Sequence, residues 1–174
     1  MQTLPSSGLH LRPVQDEDAS FLFALFAETQ DQLAALRADQ ALWRSLVEMQ
    51  FRGRQSSFAA LYPDAEDSVL EDENGEPVGR LLLDRPFARQ GNPHANRWRI
   101  VDIALLTAAR GHGLGTQVLQ RLQDRAAACD AGLELQVDPT NPARRLYERL
   151  GFRTVSEDAL AVQMVWSSLK DSPG

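Results

Sequence analysis

Three glycines placed directly before a helical segment constrain the fold of this chain more than any other sequence feature. Gly111, Gly113 and Gly115 lie in the stretch ARGHGLGTQVLQRL, whose second half carries apolar residues at helical spacing. Each glycine would weaken the interior of a helix or strand by roughly 0.5–1 kcal/mol relative to alanine. Because the preceding run Arg97–Leu106 has the composition of a buried strand, the pattern predicts a turn that joins a strand to a helix.

The start of that predicted helix is suited to bind an anion. The first turn of a helix leaves N–H groups without intrahelical partners, and the aligned peptide dipoles place partial positive charge there. Glycines let the preceding turn direct its N–H groups inward and let a phosphate approach without a β-carbon in the way. Arg110 adds a fixed positive charge beside the turn. The sequence therefore predicts a phosphate-binding turn, and the alternative is a glycine-rich connection without a ligand.

Two common nucleotide-binding motifs do not fit this stretch. A P-loop needs Lys-Ser or Lys-Thr after its last glycine, whereas Gly115 is followed by Thr116 and Gln117. A dinucleotide fingerprint has the spacing G-x-G-x-x-G, whereas the spacing here is G-x-G-x-G, and the chain does not open with this unit.

The rest of the chain alternates between strand-like and helix-like segments. The tight-turn signal Asn74-Gly75 predicts a β-hairpin, and Pro142 suits the first turn of a short helix. The predicted elements are a strand at 8–14, helices at 16–29 and 31–51, a loop at 56–67, a hairpin within 68–85, a polar loop at 87–96, a strand at 97–106, a helix from 114 to about 130, a strand at 133–138, a helix at 141–150 and strands at 151–155 and 160–166. This order predicts one mixed α/β domain over residues 1–174.

The length and net charge of the chain limit the classes of protein to which it can belong. A chain of 174 residues with 43% hydrophobic side chains can bury a full core in one domain. The net charge of −6 offers no electrostatic footprint for nucleic acid and favours a cationic partner, such as a polyamine or a basic peptide end. The longest apolar run, Phe21–Ala27, is far shorter than the ~20 residues of a membrane-spanning helix.

Cysteine and histidine usage points to a cytoplasmic protein without a metal. The first residues, MQTLPSSG, lack a basic segment followed by an apolar one, so we expect no secretory signal. Cys129 is the only cysteine, which excludes an internal disulfide and suits a reducing compartment. Its position late in a helix predicts a small core residue. No histidine forms a metal-type spacing with it; the three are His10, His94 and His112.

A second motif, NPARRLYERLGF at 141–152, follows a predicted strand, and with the glycine turn it resembles the GNAT superfamily of acyl-CoA-dependent N-acyltransferases. The cofactor signature of that family, Gln/Arg-x-x-Gly-x-Gly/Ala, is matched by Arg110, Gly113 and Gly115. Its later signature is matched by Asn141, Ala143, Leu146, Tyr147, Gly151 and Phe152. The resemblance extends over most of the chain and implies a mixed, mostly antiparallel sheet of about seven strands flanked by about four helices. Two parallel strands of that sheet would splay apart at the cofactor site.

The resemblance also implies how acetyl-CoA is held. The backbone N–H groups of the glycine turn would bind the pyrophosphate, and these belong to Arg110, Gly111, His112, Gly113, Leu114, Gly115 and Thr116. The backbone of Ile103, Ala104 and Leu105 would pair with the pantetheine amides, so that the arm lies like an added strand. Asn141 resembles the family asparagine that contacts the arm.

Tyr147 matches the position of the family's usual general acid. Attack of an amine on a thioester expels a thiolate, and a thiol pKa near about 8.5 makes protonation by a nearby hydroxyl useful. A phenol with an ordinary pKa near about 10 stays protonated at neutral pH and can donate that proton. The alternative is that Tyr147 only packs beside Leu146 and Leu150.

A general base is needed because an alkylammonium with a pKa near about 10.4 must lose a proton before it attacks. Asp102 is the first candidate, since a charge within the apolar run IVDIALL would be costly without partners. A structural aspartate that holds a loop or a strand bulge is the equal alternative. Some relatives carry a glutamate where this chain has Leu135-Gln136, and Gln136 cannot accept a proton. Asp138, beside Pro139, is typical of a turn residue.

Three features depart from the family pattern. Many relatives have a proline shortly before the glycine turn, where this chain reads Leu106-Thr107-Ala108. The spacing from Asn141 to Tyr147 is one residue shorter than the commonest pattern, which puts the role of Asn141 in doubt. His112 occupies a variable position, and we expect its ring to face solvent rather than to act as a base.

These features together predict direct transfer of an acetyl group from acetyl-CoA to a primary amine of a small molecule, peptide or protein. The alternatives are a longer acyl group, a hydroxyl acceptor, or a non-catalytic acyl-CoA-binding sensor or assembly module. Within Glu48–Pro63, Gln50, Phe51 and Tyr62 could line an acceptor pocket, although a helix end followed by a surface loop is the favoured interpretation of this stretch. An exposed final strand, LAVQMVW, would allow a homodimer.

Overall fold

The computed structural model describes residues 8–85 and 96–168, and the predicted polar loop at 87–96, with His94, lies almost wholly outside them. The strands are β1 (His10–Pro13), β2 (Glu66–Glu71), β3 (Pro77–Asp84), β4 (Arg97–Leu105), β5 (Gly132–Val137), β6 (Arg153–Glu157) and β7 (Val162–Trp166). The α-helices are α1 (Ala19–Glu28), α2 (Gln40–Leu61), α3 (Leu114–Ala128) and α4 (Arg144–Arg149). Short 3-10 turns lie at Asp16–Asp18, Asp31–Ala38 and Thr107–Ala109. The element order is the predicted one.

One seven-stranded sheet in the order β1-β2-β3-β4-β5-β7-β6 organises the molecule. Neighbouring strands are antiparallel except β4 and β5, which are parallel. The Asn74-Gly75 hairpin joins β2 to β3, with Gly75 at a φ of 79°. The sheet packs its core against the predicted apolar face of α3, where Val118, Leu119, Leu122 and Ala126 are buried.

The parallel pair β4 and β5 separates partway along its length. Pairing runs from Arg97 opposite Gly132 to Ile100 opposite Leu135 and then ends. Beyond that point β4 continues along β3, and β5 continues along β7. At the same position Leu82 pairs with Asp102 while Leu83 pairs with Ile100, which leaves Val101 as an extra residue in β4. The bulge bends β4 where it leaves β5.

The second helix differs from its prediction. The segment Asp31–Ala38 is a 3-10 turn, and α2 begins after Asp39, whose side chain accepts a hydrogen bond from the N–H of Leu42 at 3.0 Å. The helix then runs through the first half of the stretch predicted as a loop at 56–67 and ends at Leu61. Within this part of the helix, the hydroxyl of Ser57 donates to the carbonyl of Gly53, one turn earlier, at 2.9 Å. Pro63 ends it by disfavouring helical geometry at Tyr62.

Two further predictions are wrong. The final strand β7 is not an exposed edge, because β6 folds back to pair with it and leaves β6 and β1 as the sheet edges. Cys129 is not a core residue, because α3 ends at Ala128 and leaves Cys129 exposed as the cap. Among the described residues, no helix is both long enough and apolar enough to cross a membrane.

Candidate active site

The glycines form a turn between β4 and α3, as the sequence predicts. Gly111 and Gly113 both have a φ of 79°, in the left-handed region that favours glycine, and Gly113 caps the start of α3. The first helical hydrogen bond runs from the N–H of Gln117 to the carbonyl of Gly113 at 3.0 Å. The N–H groups of residues 114–116 therefore precede the hydrogen-bonded ladder of the helix. They form the positive end of a 15-residue helix.

Gly115 serves a packing role within that first turn. Its φ is not in the left-handed region, but a β-carbon there would lie 3.3 Å from Cδ2 of Leu146 in the α4 segment. The missing side chain lets α3 and α4 approach each other beside the site. Leu114 and Thr116 are half-buried in the same turn, and His112 is exposed, as expected.

Two side chains tie this turn to the remainder of the fold. Arg110 donates from Nε to the carbonyl of Leu105 at 3.0 Å, which links the turn to the end of β4. Oε2 of Glu28 accepts hydrogen bonds from the N–H of Thr107 at 2.7 Å and from its hydroxyl at 2.9 Å. The last residue of α1 therefore holds the segment just before the glycines.

The end of β4 has one paired and one open side. Leu81, Arg80 and Gly79 of β3 pair with Ile103, Ala104 and Leu105 on one side, in that order. On the other side the pairing with β5 has already ended at Ile100. An extended ligand fits a strand whose second edge is open in this way. The residues expected to hold a pantetheine arm thus lie where β4 and β5 separate.

A cavity of about 200 Å³ lies where α1 and α2 cover this end of β4. Its apolar lining comes from Leu22, Leu25, Phe26, Phe51, Ile103 and Ala104. Its polar lining comes from Thr29, Arg54, Gln55, Arg80, Asp102 and Asn141. Four of the residues predicted from sequence thereby come together: Asp102, Ile103, Ala104 and Asn141.

One of the three residues considered for an acceptor pocket within Glu48–Pro63 lines this cavity. Phe51 lines the cavity, whereas Gln50 and Tyr62 do not appear in its lining. Gln50 is exposed, and the hydroxyl of Tyr62 accepts a hydrogen bond from Nη1 of Arg99 at 3.2 Å. Sequence reasoning missed Arg54, Gln55 and Arg80, and one available signal was the position of Arg80 within the apolar strand run VGRLLLD.

Asp102 follows the bulge in β4 and carries two cationic neighbours. Its Oδ1 accepts a hydrogen bond from Nη2 of Arg54 at 2.8 Å, and its Oδ2 lies 3.9 Å from Nη1 of Arg80. Burial raises the pKa of the Asp102 carboxyl above its ordinary value, and the charges of Arg54 and Arg80 oppose that rise. Its side chain is 16% exposed, so solvent and a substrate can still reach it.

Arg80 is fully engaged in the protein. It is 6% exposed and donates from Nε and Nη2 to the two carboxylate oxygens of Asp67 at 2.8 and 2.7 Å. Its Nη1 donates to Oε1 of Gln55 at 2.8 Å. This bidentate arrangement fixes the guanidinium as a rigid positive charge behind Asp102.

Tyr147 is a buried residue of α4 that packs edge-on against Phe152, with ring centroids 5.8 Å apart. Burial, and secondarily the negative charge of Asp102, raises the pKa of Tyr147 to about 12. Its phenol therefore keeps its proton at neutral pH. Within the part of the chain that the structure describes, Tyr147 belongs to the core and does not line the cavity.

The remaining candidates have structural partners. Oδ1 of Asn141 accepts from the N–H of Ala143 at 2.9 Å, so this side chain shapes the start of α4 as well as lining the cavity. Asp138 is a turn residue whose Oδ1 accepts from the hydroxyl and the N–H of Thr140, which lowers the pKa of Asp138. Gln136 is exposed on β5, next to Glu134, which pairs with Arg99 at 2.6 Å. In residues 8–85 and 96–168, no three His, Cys, Asp or Glu side chains cluster as a metal site would require.

Comparison with known proteins identifies a sequence family and a shared fold. The sequence model of the acetyltransferase (GNAT) family matches residues 19–152. The PaiA N-acetyltransferase from Thermoplasma acidophilum, solved in complex with coenzyme A, has a TM-score of 0.66 at 13% identity, over 92% of this chain and 99% of its own. An acetyltransferase from Thermus thermophilus has a TM-score of 0.64 at 25% identity, over 92% and 97%. A chimera of the spermidine N-acetyltransferase SpeG from Vibrio cholerae has a TM-score of 0.63 at 18% identity, over 92% and 96%. The sheet and helices of this chain match that shared fold, as predicted.

Proposed function

Because this chain belongs to the GNAT acetyltransferase family, we propose that it transfers the acetyl group of acetyl-CoA directly to a primary amine of a small molecule, peptide or protein. One observation carries the proposal. The open edge of β4, the helix start at Gly113 and the cavity that contains Asp102 all adjoin the point where β4 and β5 separate. A donor and an acceptor could therefore reach one point from two sides.

The residues present fit acetyl-CoA, which supplies an acetyl thioester when bound. The N–H groups of Gly111–Thr116 would bind the pyrophosphate, since those of 114–116 precede the first helical hydrogen bond. The N–H of Arg110, also predicted to take part, donates to the carbonyl of Thr107 at 3.2 Å. The backbone of Ile103, Ala104 and Leu105 would bind the pantetheine amides along the open edge of β4. Asn141, which lies between the cavity and α4, would contact the same arm.

We assign Asp102 the role of general base. Its carboxylate lies in the cavity, and a pKa raised by burial makes it a better proton acceptor than an ordinary aspartate. Arg54 and Arg80 hold it in place and keep its charged form accessible. It would take a proton from the acceptor ammonium, directly or through water.

We assign Tyr147 the role of general acid. Its raised pKa keeps the phenol protonated, and it would donate that proton to the departing thiolate. No covalent enzyme intermediate is part of the proposal. Cys129 lies at the far end of α3 from the glycine turn, and the 15 residues between span about 22 Å at 1.5 Å each.

We further propose that residues 1–174 act as a single catalytic domain in the cytoplasm. A homodimer stays a prediction. Pairing of β7 between two subunits, the contact first expected for it, does not fit the structure, because β7 lies inside the sheet. A sensor without turnover is the second candidate, and one observation favours it: the carboxylate of Asp102 is already paired with Arg54.

A turnover screen tests the proposal. The purified protein is mixed with acetyl-CoA and panels of amines, amino acids, peptide N-termini and alcohols, and both released thiol and acetylated product are measured. Transfer to an amine class, with no transfer to alcohols and slower transfer from longer acyl-CoA donors, supports the proposal. Calorimetry with acetyl-CoA is the companion measurement. Binding without transfer to any acceptor establishes the sensor instead.

A further inference from the structure

We propose that the acceptor is a small zwitterion, an amine that carries a carboxylate on the adjacent carbon and an apolar side chain, and that Arg54 binds its carboxylate. This inference rests on the proposed function and names the substrate class of that same site. It replaces the cationic acceptor that the net charge of −6 favours.

Arg54 is positioned to bind an anion at the mouth of the cavity. It projects from α2 and stacks on two aromatic rings, with its guanidinium carbon 5.7 Å from the centroid of Phe26 and 5.1 Å from that of Phe58. Stacking fixes the plane of the guanidinium, so less conformational entropy is lost on binding. Its side chain remains 40% exposed.

The hydrogen-bonding capacity of Arg54 is mostly unused. Among the described residues its side chain donates one hydrogen bond, from Nη2 to Asp102. A guanidinium carries five N–H donors, so most of them remain available to a ligand. Arg80 offers a contrast in the same cavity, because Asp67 and Gln55 occupy its donors.

An α-amino acid complements the pair formed by Arg54 and Asp102. The two side chains lie 2.8 Å apart, so a positive and a negative group are presented side by side. The ammonium of the acceptor would bind Asp102, the proposed base, and its carboxylate would bind Arg54 in the geometry suited to guanidinium. The amine nitrogen is then placed on the group that must take its proton.

The remaining lining determines size and polarity. Leu22, Leu25, Phe26 and Phe51 supply an apolar wall for a hydrocarbon side chain. A volume of about 200 Å³ is below the range of about 300–1,000 Å³ for pockets that bind drug-sized ligands, so a small acceptor is expected. Asp67 offsets the charge of Arg80, so Arg54 and Asp102 leave the cavity with one positive and one negative group, which matches a zwitterion better than a polycation.

Matched acceptors isolate the contribution of the carboxylate. Apolar α-amino acids, their carboxamides and their decarboxylated amines, with spermidine as the polycation, are assayed with acetyl-CoA. In the wild-type protein we expect kcat/KM for the best amino acid to exceed that of its carboxamide by at least about tenfold, mainly through KM. Arg54→Gln should reduce this ratio to about one, and Arg54→Lys should retain part of it.

The control is Arg44→Gln, which removes an exposed arginine of the same helix that pairs with Glu48 and should leave the ratio unchanged. Binding of the amino acid to the protein saturated with free coenzyme A, followed by NMR, gives a readout without turnover. The inference is overturned if the carboxamide or spermidine is acetylated as well as the amino acid, or if Arg54→Gln leaves the ratio of the two kcat/KM values unchanged. Either result leaves the proposed function intact. Absence of transfer to every amine overturns the proposed function, and the inference with it.

Discussion

The carboxylate of Glu28 accepts two hydrogen bonds from Thr107, one from the backbone N–H at 2.7 Å and one from the hydroxyl at 2.9 Å. These residues are far apart in the chain, since Glu28 ends α1 and Thr107 begins the segment before the glycine turn. The contact joins a helix that lines the cavity to the proposed phosphate-binding turn. Glu28 therefore links the two parts of the candidate site directly.

Glu28→Gln should weaken acetyl-CoA binding about threefold to tenfold and change kcat less. The amide loses the charge that strengthens both hydrogen bonds, and such an exposed pair contributes on the order of 1 kcal/mol. Calorimetric titration with acetyl-CoA measures the effect. Glu48→Gln is the control, because that carboxylate pairs with Arg44 on its own helix. Equal Kd values for both variants would contradict the prediction.

Gly113→Ala should lower both stability and acetyl-CoA affinity. A φ of 79° destabilises a residue that has a β-carbon by about 1–2 kcal/mol. No steric clash adds to this cost, because a β-carbon at Gly113 would meet no atom within 4 Å. Gly75→Ala is a matched control, since Gly75 has the same φ, equally open surroundings and a place in the hairpin turn. Chemical denaturation should show similar losses for both. Affinity for acetyl-CoA should fall for Gly113→Ala and stay at the wild-type level for Gly75→Ala.

Asp102→Asn should lower kcat/KM by about 10²–10⁴-fold without weakening acetyl-CoA binding, because an amide cannot accept the proton. In the wild type, kcat/KM should fall as the pH drops, with a midpoint above the ordinary aspartate value of 3.8, because burial raises this pKa. Arg54→Gln removes the positive charge that lowers the pKa of Asp102 the most, so the midpoint should move to higher pH. Asp84→Asn, at a half-buried carboxyl of β3, is the control. A rate within a few-fold of wild type, with reduced stability, would identify Asp102 as structural.

Tyr147→Phe should reduce kcat by about 10²–10⁴-fold while the unfolding free energy changes by less than about 1 kcal/mol. The phenylalanine ring keeps the edge-on packing against Phe152 and loses only the proton donor. Because the pKa of Tyr147 is about 12, the wild-type rate should show no fall from its titration near the ordinary value of 10.0. Steady-state kinetics measures kcat, and denaturation of the same samples measures the unfolding free energy. An unchanged kcat would mean that Tyr147 serves only in packing.

Asp18→Asn should remove part of the acid sensitivity of the fold. Arg12 donates to both carboxylate oxygens of Asp18 at 2.7 and 2.8 Å and lowers the pKa of Asp18 to about 2. A pKa below the unfolded value of 3.8 means that this interaction stabilises the fold above that pH. The stabilisation is lost as the pH falls toward about 2.

Denaturation of wild type and Asp18→Asn at several pH values tests this dependence. The difference in their unfolding free energies should be constant near neutral pH and should shrink steadily below about pH 4. Asp16→Asn, at an exposed neighbouring residue, is the reference for a general charge effect. A difference that does not change between neutral and acidic pH would exclude the proposed linkage.

The sequence determined the elements and the turn between them, because these depend on neighbouring residues. Apolar spacing predicted α3 and its buried face, Asn74-Gly75 predicted the hairpin, and the glycines predicted the turn before α3. Local signals misjudged the end of α2, because they predict a loop at 56–67 although the helix continues to Leu61. Residues 56–61 continue the helix although most of them are exposed, and Pro63 sets its end by disfavouring helical geometry at Tyr62.

Only the tertiary structure decided which side chains meet at the site. Arg54 and Asp102 are 48 positions apart, and no periodic pattern links a polar residue on a helix to one on a distant strand. The same limit applies to β7, whose place inside the sheet depends on β6 folding back beside it. Local chemistry specifies backbone conformation, whereas long-range pairing depends on how the faces of the whole chain pack together. The glycine turn could thus be predicted from its own residues, and the cavity that contains Asp102 could not.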